Sequence, residues 1–81
     1  MTESATIIAR IVEYNTGGKN RETIAREQVG TIAQHHSRFN SDLGTAITEA
    51  IENGYLEEQN GELVATERVD ELIRGRHYSM G

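Results

Sequence analysis

Four groups of residues have types that could carry chemistry. His35 and His36 stand side by side, with His77 near the end. Carboxylates pair as Glu49/Glu52 and Glu57/Glu58, the run Thr16-Gly17-Gly18-Lys19-Asn20 joins glycines to a cation, and Arg21 and Arg38 add further cations. Histidines suggest zinc, but adjacent residues on a helix point about 100° apart, and no histidine stands at the i+4 spacing that lets two converge on one ion. The pair therefore reads as a surface histidine beside a half-buried one. The glycine-lysine run lacks both the preceding strand and the Gly-Lys-Ser/Thr order of a phosphate-binding loop. It reads as a helix stop, although Lys19 and Arg21 lie near the next helix's N-terminus, where an anion can bind weakly. The paired carboxylates would need a nucleophile or a basic orienting group beside them, and without either they read as a solvated face. There is no cysteine, so thiolate chemistry and disulfides are excluded. Enzyme activity, a metal and a cofactor are not expected.

Hydrophobic periodicity outlines the elements that would hold these residues. Over 3–15, Ile7, Ile8, Ile11 and Val12 recur at helical spacing behind Ser4 and Ala5, with Glu3, Thr6, Arg10 and Glu13 on the other side. Thr2 is the expected cap, and Asn15-Thr16-Gly17-Gly18 the stop. From Lys19 to Ser37 the stripe is Ile24, Gln28/Val29, Ile32, Ala33 and His36, with Asn20 as cap. Gly30 interrupts it, so the segment is either one helix or two pieces; the preferred reading is a helix over 20–36, irregular at 29–31. Phe39 plugs the corner in the turn Ser37–Asn40. Asn40 or Ser41 then caps a helix carrying Leu43, Ala46, Ile47, Ala50 and Ile51 inward and Thr45, Thr48, Glu49 and Glu52 outward, ending at Asn53-Gly54.

Two short runs, 55–59 and 62–66, flank Asn60-Gly61, the preferred pair for a type I′ hairpin turn because both central residues need φ > 0. Opposing Gln59 with Glu62 sets Glu58 against Leu63 and Leu56 against Ala65. Leu56, Leu63 and Ala65 then face the core, and Tyr55, Glu57, Val64 and Thr66 face away. Thr66 caps a last helix with Val69, Leu72 and Ile73 as its stripe, Gly75 as its end, and Arg74 and Arg76 offsetting its C-terminal dipole.

The fold class is thus mostly α with a small β-hairpin wing: three helices, hairpin, C-terminal helix. The run from Ile32 to Leu56, with its turn at Ser37–Asn40, inward Leu43 and Ile47, and exit Gly54-Tyr55-Leu56, resembles the winged helix-turn-helix superfamily. The likeness is architectural and extends over 1–76 as one domain, with 77–81 as a tail. It implies a dimeric transcriptional regulator that binds double-stranded DNA. By position it nominates Asn40, Ser41, Thr45 and Thr48 for base edges, Lys19, Arg21 and Arg38 for phosphates, and Gln59 and Asn60 for the wing tip.

Charge opposes that implication. The net charge is −5. Residues 1–40 hold five Lys/Arg against four Asp/Glu, whereas 41–81 hold three against nine. The outward face of the third helix and the wing carry Asp42, Glu49, Glu52, Glu57, Glu58 and Glu62 and no Lys or Arg. Phosphate neutralisation supplies most non-specific DNA affinity. The alternative expectation is a protein-interaction module, or a nucleic-acid mimic, binding a partner through Glu49, Glu52, Glu57 and Glu58. With 81 residues and four aromatics the core is small, so a homodimer is expected, with Tyr55, Val64, Tyr78 and Met80 as candidate contacts. Apolar runs are too short for a membrane span and the first residues do not read as a signal peptide. A cytoplasmic protein is expected.

Overall fold

The computed structural model describes residues 1–16 and 22–72. In chain order it has α1 (Glu3–Thr16), β1 (Ile24–Ala25), α2 (Arg26–Gln34), α3 (Leu43–Glu52), β2 (Leu56–Gln59) and β3 (Glu62–Ala65). A short helical segment follows over 69–72. The strands form one antiparallel sheet in the order β1-β3-β2.

The core is aliphatic, as the sparse aromatics require. Ile8, Val12, Val29, Ile47, Leu56 and Leu63 are its largest fully buried side chains. α1 contributes most of the wall because five apolar residues, Ala5, Ile7, Ile8, Ile11 and Val12, share its inner face, and Ala9 closes the stripe. Phe39 packs half-buried against this core between α2 and α3, at the corner it was expected to fill.

The hairpin forms in the expected register, with Gln59 opposite Glu62 and Leu56 opposite Ala65. Asn60 and Gly61 have φ of 54° and 81°, the pair of positive angles that a type I′ turn demands. α3 ends as expected too. Asn53 is its C-cap and Gly54, at φ 83°, turns the chain so that the Gly54 and Tyr55 amides donate to the carbonyls of Ile51 and Ala50.

Three expectations are corrected. Ile24 and Ala25 are not helical: they form β1, paired with Leu63 and Glu62, and the helix starts only at Arg26. Ile24 fits a helical stripe by spacing, yet a strand also turns its alternate residue to the core, and Ile24 is buried in that way. Gly30 causes no break. α2 runs through it, and a Cβ there would stand 2.7 Å from Leu43 Cδ2, so glycine gives α3 room to approach. Asn40 and Ser41 do not cap α3. Asp42 does, its Oδ2 accepting from the Thr45 amide at 3.0 Å and the Thr45 hydroxyl at 3.2 Å.

Val64, expected to be exposed, is buried, at 7% exposure, on the central strand β3. Tyr55 is half-buried with the Arg68 guanidinium 5.2 Å from its ring centre. Thr66 does cap the 69–72 segment, its hydroxyl accepting from the Arg68 amide at 3.2 Å and donating to Gly54 O. The expected cap Asn20, the inward Ile73, the stop at Gly75, the terminal Arg74 and Arg76, and the tail 77–81 lie outside the described residues.

Candidate recognition surface

The outer side of α3 borders a shallow groove lined by Arg26, Asp42, Gly44, Thr45, Thr48, Glu49 and Glu52. Three elements build it. α2 begins at its edge because the Arg26 amide donates to Gly61 O in the hairpin turn, 3.2 Å away. α3 forms its floor because Ala46, Ile47 and Ala50 are buried on the opposite face, leaving Thr45, Thr48 and Glu52 exposed. The hairpin closes one end, where Glu58 holds the Arg26 guanidinium through both carboxylate oxygens, each 3.2 Å from the same nitrogen.

Each acid of this region has a definite position. Asp42 caps α3. Glu49 reaches the first residues of the chain: its two oxygens accept from the Thr2 amide and the Thr2 hydroxyl, both at 2.8 Å. The hydroxyl bond, then the amide bond, hold the Glu49 carboxyl below its ordinary value of 4.5. Glu62 accepts from the Thr23 hydroxyl. Glu52 and Glu57 make no bond among the described residues and are exposed. Glu57 lies opposite Val64 on the hairpin face away from Glu58, so it does not join the groove. These bonds give four of the six acids structural work without removing their charge. Among the described residues only Glu58 of the six is balanced by a cation.

Those of the nominated DNA-contacting residues that are described fall in four places. Asn40 is tied to α1, its Oδ1 accepting from the Ser4 hydroxyl and its amide donating back to Ser4 Oγ, both at 3.2 Å. Ser41 is half-buried beside it. Thr45 shares its hydroxyl with Asp42, and Thr48 is exposed on the groove floor. Gln59 and Asn60 are exposed at the hairpin tip. Arg38 sits on the α1 side, 3.3 Å from Glu3, in a separate depression with Thr6, Ile7, Arg10 and His36. Lys19 and Arg21 lie outside the described residues.

Two residues that sequence reasoning passed over matter. Arg26 is the cation of the groove, and its only sequence signal was its place at a helix start misassigned by six residues. Tyr14 is 85% exposed on α1; it falls just outside the apolar stripe, and that position was the readable sign. His35 and His36 are both exposed, so His36 is not the half-buried partner expected. Among the described residues no group of His, Asp and Glu is arranged to hold a metal, and no helix is long and apolar enough to cross a membrane.

Comparison of the chain with family models, curated proteins and solved structures found no match.

Proposed function

We propose that this chain is a winged-helix recognition domain, with α3 as the recognition helix and the β2–β3 hairpin as the wing, and that its groove takes a basic segment of a protein partner. Helix order, the Asp42 cap that opens α3 beside the groove, and the type I′ hairpin support the winged-helix reading. One observation carries the choice of partner. Among the described residues the groove is lined by Asp42, Glu49 and Glu52 against one cation, Arg26, which Glu58 already neutralises. Duplex DNA approaching this surface meets carboxylates where it needs ammonium or guanidinium groups. A lysine- or arginine-bearing segment meets complementary potential, with Thr45 and Thr48 as neutral hydrogen-bonding positions between the acids.

A second reading, a DNA-binding transcriptional regulator acting as a dimer, is favoured by a different observation. Four of the eight Lys/Arg (Lys19, Arg21, Arg74 and Arg76) fall outside the described residues, and Arg26 would add to them if Glu58 released it. In that reading Ser41, Thr45 and Thr48 face bases, and these cations carry the phosphates.

Fluorescence anisotropy at low salt separates the two, with an arginine- and lysine-rich peptide and a mixed-sequence duplex titrated in parallel. The protein-partner reading expects the peptide to bind and the duplex not to. It expects Glu52→Lys to weaken peptide binding about tenfold, as loss of a close charge contact does. The same charge change at Glu71, outside the groove, leaves binding within about twofold because distant exposed charges are screened. Duplex binding without peptide binding, or equal losses from Glu52→Lys and Glu71→Lys, would reject it.

A further inference from the structure

We propose that the outer face of α1 and the end of α2 form a two-fold homodimer interface, in which Arg10 of each copy meets Glu13 of the other and the two Tyr14 rings cover the groove between the helices. The groove is lined by Ile7, Ile11 and Ile32, with Arg10, Tyr14 and His36 at its rim. Its floor is apolar, Ile7 and Ile11 being 7% and 8% exposed, and Ile32 is half-buried. Tyr14 stands beside it almost wholly in solvent, although burying a tyrosine removes 150–250 Å² of surface from water.

The charges point to a second copy as the occupant. The chain holds thirteen Asp/Glu against eight Lys/Arg, a net charge of −5, so two copies repel each other on average. Among the described residues this face is balanced: Arg10 and Arg38 stand among Glu3 and Glu13. Arg38 is already paired with Glu3. Arg10 and Glu13 have no ion-pair partner among the described residues, and being one turn apart on α1 they offer opposite charges to one visitor. A two-fold contact requires that if residue i meets j, then j meets i. Antiparallel crossing of two α1 helices near Ile11 meets that condition, setting Arg10 against the partner's Glu13 twice.

This inference goes beyond the groove beside α3 and does not rest on it; a monomeric protein would remove the interface and leave that groove untouched. Sedimentation equilibrium on the whole chain tests it. The expected mass is twice the 9.0 kDa of one chain. Arg10→Glu and Glu13→Arg each weaken the dimer at least about tenfold, and Tyr14→Ala weakens it without changing charge. Mixing equal amounts of the Arg10→Glu and Glu13→Arg proteins restores a dimer, because each variant then supplies what the other lacks. All three side chains lack polar partners among the described residues, so circular dichroism should show each variant folded. A monomer at every concentration, a dimer indifferent to Arg10→Glu, no recovery on mixing, or masses growing beyond two copies by head-to-tail docking would each overturn the proposal.

Discussion

Thr2 and Glu49 tie the start of the chain to α3. The Thr2 hydroxyl accepts from the Ala5 amide at 3.2 Å, which caps α1, and donates to Glu49, so one side chain fixes both a helix end and a helix-to-helix distance. The bond has a consequence for pH. A carboxyl whose folded value is depressed favours the folded state above its unfolded value, here near 4.5, and the benefit disappears as pH falls through the lower folded value. Glu49→Gln should therefore lower the melting temperature at pH 7, while the difference from the parent shrinks to nothing in strong acid. Thermal melts across the acid range check this; a difference that stays constant with pH would show that the charge is not the source. This contact was not legible in the sequence. Thr2 could be read as a cap and Glu49 as a solvated acid, but nothing local announces that residues 47 apart are bonded.

At the scale of elements, local signals read correctly wherever one geometry explains them. The Asn60-Gly61 turn fixed the hairpin register because few sequences tolerate two positive φ angles. β1 was not legible, since two residues carry no periodicity and their strand identity comes from pairing with β3, some forty positions later. Gly30 was legible as unusual but not for its cause: a helix-weakening residue is retained where two helices come close. That cause predicts a graded response. Gly30→Ala should be nearly neutral in urea denaturation, the roughly 1 kcal/mol gain in helix propensity offsetting a small shift of the flexible Leu43 end. Gly30→Leu should cost about 1–3 kcal/mol by forcing α2 and α3 apart. A stabilising Gly30→Leu would mean that the approach of Leu43 is not what selects glycine.

For the whole molecule, the division of charge decides the functional reading. Residues 1–40 hold five Lys/Arg against four Asp/Glu, and 41–81 hold three against nine. The acidic excess of the second half was visible from counting alone. What counting could not show is which acids share a surface: Glu58 joins the α3 groove and neutralises Arg26, while Glu57 leaves from the other face of the same strand. Nor could it show that Arg38, nominated for a phosphate, pairs with Glu3 on α1, or that Asn40, nominated for a base edge, is bonded to Ser4. The central claim is that the groove beside α3 is the recognition surface and that its target is a basic protein segment. The most direct test is amide chemical-shift mapping of the whole chain during titration with an arginine- and lysine-rich peptide, repeated with duplex DNA. The account predicts peptide-induced shifts at Arg26, Thr45, Thr48, Glu52 and Glu58, with little response to the duplex. Shifts produced by the duplex at these residues, or peptide shifts elsewhere that leave α3 unmoved, would contradict it.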